Sequence, residues 1–254
     1  MSKYFTVEII PTIAGNLQSG AFGNGDVLFD WQTTQVPRGA NKLIAATVVL
    51  RSKNGDHQTG AKIDLWFAKS INGTAPSTLG VINDGVTGLP VIANHMIGMT
   101  HLEAGEFGTN AGESFTVGST GSGAAVSNIP SLVLEGELSS GDNVGYDTLY
   151  VGAAAGNAID FGTTVLARGG EAAGVTVVET DKGSDDNPDA ELIFAPGDVL
   201  VGATGAALGT VSSIADFDTN KQDITFTAGT TEVLDDNEEI LCANPIKIIL
   251  SFEK

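Results

Sequence analysis

Cysteine is close to absent from this chain: Cys242 stands alone in 254 residues. One thiol cannot close an intramolecular disulfide, so the fold is not stapled by oxidation. Its neighbours Ile240, Leu241 and Ala243 are apolar, which points to a small buried hydrophobe and away from a nucleophile. Basic residues are scarce too, 12 against 31 acidic ones, for a net charge of −19. Phosphates repel such a chain, which argues against DNA, RNA and anionic membranes as partners. No apolar run nears the ~20 residues of a membrane-spanning helix. The start of the chain carries no basic segment followed by an apolar one, so no Sec leader is expected and folding is expected in a cytosol. Aromatics are 6% of the chain. Trp31 and Trp66 both lie in strand patterns that predict core positions, which leaves few platforms for stacking a sugar.

Reaction chemistry is equally thin. The three histidines, His57, His95 and His101, have no cysteine or carboxylate at zinc-ligand spacing. The glycines of 202–209 match neither the dinucleotide fingerprint nor the P-loop, and lie between strands where a phosphate loop would open a helix. Residues 118–123 are a Gly/Ser/Thr loop tip or packed turn without nucleophile-elbow spacing. Asp216, Asp218 and Asn220 begin like a calcium loop, but Lys221 and Thr227 stand where glycine and a bidentate glutamate are required. A β-turn between strands fits better. The acidic stretch 181–191 reads as a solvated loop, with a weak surface calcium site as the alternative. Every acidic cluster falls in a predicted turn, where water keeps carboxylates ordinary. No catalytic, cofactor-binding or metal-ligating residue is assigned, and the chain reads as no enzyme.

What is present is glycine and alternation. The 33 glycines are nearly twice the usual ~7% and punctuate short apolar runs as turns do. Phe5, Val7 and Ile9 alternate with polar neighbours, the period of a half-buried strand. Residues 27–31 follow, then 43–50, β-branched and expected to be buried on both faces. Asn54-Gly55 leads to Ile63, Leu65 and Phe67 on one face, which predicts an antiparallel hairpin over 43–69. Further strands are expected at 114–117, 132–134, 148–152, 159–161 and 164–167, with a long loop at 70–90 and either a strand or a helical turn at 91–99. From 169 to 241 the spacing tightens to six short strands, at 175–178, 192–194, 199–201, 209–214, 224–227 and 239–241, about ten residues apart, as in a small sandwich or barrel. Ile246, Ile248, Leu250 and Phe252 then return to the opening pattern, so the last strand is placed beside the first. The fold predicted is all-β: a jelly-roll-like two-sheet β-sandwich over 1–168 plus 242–254, with a small β-barrel or sandwich inserted at 169–241.

The opening Tyr4-Phe5-Thr6-Val7-Glu8-Ile9-Ile10-Pro11, the stretch Ile63-Asp64-Leu65-Trp66-Phe67-Ala68, and Tyr150-Val151-Gly152 with Ile159-Asp160-Phe161-Gly162 resemble small β-rich virion proteins of tailed bacteriophages, those of marine phages and cyanophages above all. Pro196-Gly197-Asp198-Val199-Leu200 and Leu208-Gly209-Thr210-Val211 are similar to barrel modules inserted in phage head and tail proteins. The resemblance implies a capsid decoration or cement protein, assembled in the host cytoplasm into the virion. Its implied partners are itself, as a homo-oligomer such as a trimer, and the major capsid protein or another virion protein. A receptor- or carbohydrate-binding tail or fibre module is the alternative.

Overall fold

A computed structural model describes residues 3–54, 56–87, 89–108, 115–121, 130–138, 145–163, 165–182, 189–205 and 207–254. The molecule is nearly all β. The strands are β1 (Tyr4–Ile9), β2 (Val27–Pro37), β3 (Asn41–Arg51), β4 (Ile63–Ala68), β5 (Met96–Leu102), β6 (Phe115–Ser119), β7 (Leu132–Leu134), β8 (Glu137–Leu138) and β9 (Tyr146–Ala155). They continue with β10 (Val177–Asp181), β11 (Val199–Gly202), β12 (Ala207–Asp218), β13 (Lys221–Phe226), β14 (Ile240–Cys242) and β15 (Ile246–Glu253). Two single helical turns, α1 (Leu89–Ile92) and α2 (Ala190–Ile193), interrupt them.

Alternation decides the layers. In β15, Ile246, Ile248, Leu250 and Phe252 are buried and their neighbours are not. In β3 the buried set is Leu43, Ala46, Val48 and Leu50, and the other face is half-covered rather than buried. One sheet runs β1-β15-β3-β6, with β7 also on β3, and the second runs β2-β9-β4-β5, with β8 on β9. Their inner faces share one core that includes Phe29, Leu65, Phe67, Val151, Leu250 and Phe252. Counting β1–β6, β9 and β15 as first to eighth, the first pairs with the eighth, the second with the seventh, the third with the sixth and the fourth with the fifth, all antiparallel. A long hairpin folded across its middle pairs this way, and this is jelly-roll winding.

The winding overturns the hairpin expected over 43–69. β3 and β4 lie in opposite sheets, β3 on β15, β6 and β7, and β4 on β5 and β9. Asn54 does adopt the left-handed conformation (φ 49°) inside a local Lys53–Asp56 bridge. The chain then crosses between sheets, held at the corner by Gln58, whose Nε2 donates to the carbonyls of Arg51 and Asp160. Each strand needs a buried face, and crossing lets both point theirs into one core.

Residues 165–242 form a second body with its own core, which takes in Val165, Ala167 and Cys242. Its sheet order is β10-β13-β12-β11-β14. Residues 165–168 close it. Ala167 N donates to Glu238 O and Ile240 N to Val165 O on one side, while Arg168 N donates to Glu179 O and Asp181 N to Leu166 O on the other. Among the described residues these bonds join the two ends of the sheet into a closed barrel. Residues 192–194, expected as a strand, belong instead to and just after α2. Ala190 N is held by Gln222 Oε1, and Ile193 and Phe194 pack into the barrel core while Leu192 stays outside. Ile193 and Phe194 are adjacent yet both face the core, which does not fit a strand's period of two.

Candidate docking face and cleft

The two bodies meet along a short junction. The 3-10 turn Gly15–Leu17 lies against β11, where a Cβ on Gly15 would overlap the carbonyl oxygen of Gly202. Gln18, fully buried, donates from Nε2 to Ile13 O (2.7 Å) and Cys242 O (3.1 Å). Arg51 at the end of β3 forms an ion pair with Asp198 in the turn before β11. Within the sandwich, Lys53 bonds Asp160 at 2.6 Å.

Beside this junction the outward face of the first sheet and the turn 197–199 enclose a cleft of about 490 Å³. Ile10, Val49, Phe115, Val199 and Pro245 line it together with Cys242, Lys247 and the Arg51–Asp198 ion pair. That size lies within the ~300–1,000 Å³ typical of binding pockets. Cys242 is buried; burial pushes its thiol up, and the nearby Arg51 guanidinium only partly opposes this.

Charge is segregated between the bodies. Residues 165–242 carry 16 acidic and 3 basic residues, a net −13, and the rest of the chain 15 acidic and 9 basic, a net −6. On the outward face of the first sheet the balance reverses: Lys42, Arg51 and Lys247 stand against Glu8 and Glu253.

Not every acidic residue is an ordinary surface carboxylate, contrary to the expectation from turns. Glu238 is only 7% exposed. Burial would raise its pKa, but hydrogen bonds from Thr204 Oγ1 (2.7 Å), Asp235 N (3.0 Å) and Thr204 N (3.0 Å) outweigh burial and hold it below the usual range. Its neighbour Glu239 moves the other way. Burial raises it first, Asp160 adds to the rise, and Thr163 N and Lys53 oppose it. The two neighbouring side chains meet different partners, and neither environment is visible in the run Asp235 to Glu239.

A depressed folded pKa means that Glu238 stabilises the barrel fully above the unfolded value of about 4.3. The contribution is lost as pH falls through the lower folded value. In Glu238→Gln one oxygen remains to accept from Thr204, but an amide NH2 faces Asp235 N–H. We expect a loss of about 1 kcal/mol near neutrality and a shallower fall in stability below about pH 4.5. Urea unfolding across a pH series measures both, and an unchanged acid slope would contradict the assignment.

The histidines do not converge. His95 Nδ1 lies 2.9 Å from Lys69 O. His101 on β5 pairs across from Asp64 and sits 3.9 Å from Glu103, on an open sheet face. Among the described residues no group of three or more His, Cys, Asp or Glu is placed to hold a metal ion, and no helix is long and apolar enough to cross a membrane. Asp216 and Asp218 end β12 and Lys221 opens β13, so the calcium-like tract is a tight hairpin turn, with Asp216 bonded to Lys182 and Gln222. In the acidic stretch 181–191, residues 183–188 lie outside the described residues. Gly118 and Ser119 extend β6 rather than forming a loop tip; 122 and 123 lie outside the described residues.

The tryptophans are not in the main core. Trp31 and Trp66 pack on the outer face of the second sheet against Leu79 and Ile92, and Trp31 Nε1 donates to Ser77 O at 2.7 Å. The period was legible: Leu65 and Phe67 face inward, so Trp66 between them faces out.

No family model, curated protein or solved structure matches the chain. The cleft, the outward face of the first sheet and the acidic barrel therefore carry the functional reading.

Proposed function

We propose that this chain is a non-enzymatic virion structural protein, a decoration or cement protein that docks on a tailed-phage head as a homo-oligomer. The observation that carries the reading is the segregation of charge and apolar surface. One sheet face combines exposed apolar side chains with cations, while the barrel holds a net −13. A face of that kind suits contact with a protein surface. A closed acidic barrel suits exposure, because like charge keeps crowded copies and whole particles apart. A two-sheet β body with one shared core suits the rigid unit that a repeated lattice position needs. The proposed partners are other copies of the chain and the major capsid protein or another virion protein; nucleic acid and membrane are not among them.

Quantitative mass spectrometry of purified particles tests this. We expect a copy number comparable with that of the major capsid protein. A handful of copies per particle would move the chain to the tail, and its absence from particles would end the virion reading.

A further inference from the structure

We infer that Asp160, Lys53 and Glu239 form a proton-operated clasp on the hinge between the sandwich and the barrel. The chain passes from one body to the other at Gly162 and Thr163, since Phe161 belongs to the sandwich core and Val165 to the barrel core. These two consecutive amides are held by carboxylates from opposite sides of the hinge. Gly162 N donates to Asp160 Oδ1 at 2.9 Å, and Thr163 N donates to Glu239 Oε1 at 2.6 Å. The other oxygen of Asp160 takes Lys53 Nζ at 2.6 Å. Glu239 is tied into the barrel, where its carbonyl oxygen accepts from Ala203 N at 2.9 Å. A Cβ on Gly162 would stand 3.0 Å from Asp160 Oδ1 and 3.4 Å from Glu239 Oε1, so the two carboxylates converge on one spot.

Carboxylates that share a site repel, and here one ammonium serves both. Burial is the largest influence on Glu239 and raises its pKa; the Thr163 hydrogen bond lowers it, Asp160 raises it and Lys53 lowers it, and the net direction is up. Among the described residues, Asp160 and Lys53 are the charged groups that act on Glu239. Protonated Glu239 has no charge to bury or to set against Asp160, and its carbonyl oxygen still accepts from Thr163. Because the folded value is raised, the stabilisation is fully present below the ordinary glutamate value of about 4.3 and is lost as pH rises through the raised one. The clasp is therefore tight in mild acid and slackens toward neutrality. Glu238, one residue earlier, is shifted the other way and weakens the barrel only below the ordinary range, so the two windows do not overlap.

Nuclear magnetic resonance of the full-length chain tests the clasp. It reads the Glu239 carboxyl carbon and the exchange of the Gly162 and Thr163 amides, corrected for intrinsic exchange, from about pH 4 to about pH 8. We expect Glu239 to titrate above about 4.3, and the protection of both amides to fall severalfold through the same midpoint. Glu239→Gln is always neutral and should keep both amides protected throughout. Asp160→Asn removes the repelling charge and should move the Glu239 midpoint down. Lys53→Met removes the attraction and should move it up. The Lys53 side chain is 52% exposed, so this variant keeps the fold and decides the case if a carboxylate variant does not fold. A Glu239 midpoint at or below the ordinary value, amide protection that does not follow it, protection lost with rising pH in Glu239→Gln, or a Lys53→Met midpoint that stays or falls would each overturn the inference. The clasp is independent of the virion reading, and neither outcome decides the other.

Discussion

Phe252→Ala is expected to destabilise the sandwich by about 3–5 kcal/mol, a large part of the ~5–15 kcal/mol that holds a domain folded. Phe252 is fully buried on β15, the strand between β1 and β3. Its ring stacks on Phe5 at 5.1 Å and 12°, and its backbone partner on β3 is Leu43. Truncation therefore opens a cavity bordered by three strands of one sheet and the inner face of the other. β15 also follows directly from the barrel's last strand, so loosening it loosens both ends of the chain. Urea unfolding followed by tryptophan fluorescence measures the loss, since Trp31 and Trp66 pack on the sandwich. A change below about 1 kcal/mol would mean that the two sheets do not share the core described.

The second large effect is expected at Gly15. An alanine Cβ there would overlap the Gly202 carbonyl oxygen, lie 2.8 Å from the carbonyl carbon and press within 3.3 Å of Val201 Cγ2. Backbone cannot step aside as a side-chain tip can. Gly202 has no room behind it either, because a Cβ there would run into the Glu238 carboxylate. Gly15→Ala should cost about 3 kcal/mol, the upper end for overpacking, and the cost falls on the junction rather than on either core. Calorimetry should then resolve separate sandwich and barrel transitions. A single transition at the wild-type temperature would show that the bodies are not joined through this contact.

Much of this architecture was legible locally. The alternation in β1, β4 and β15 named the inward side chains correctly, and the return of the opening pattern after residue 242 placed the last strand beside the first. The cleft was not legible. Its walls come from Ile10, Val49, Phe115, Val199 and Pro245, positions far apart in the chain, and nothing about any of them singles it out. Nor could the two carboxylates after Asn237 be told apart, because Glu238 and Glu239 differ only in what other strands bring to them.

By itself the sequence determined the all-β character, the inward face of β1, β4 and β15, and the concentration of negative charge in residues 165–242. Tertiary structure alone decided which strands are neighbours, that β3 and β4 part into opposite sheets, that residues 165–168 close the barrel, and that an apolar cleft forms where the bodies meet. The division has a physical cause. Side-chain direction follows from the backbone's period of two within a few residues, whereas pairing, closure and burial depend on contacts between residues widely separated along the chain, whose closure entropy only the whole folded core offsets.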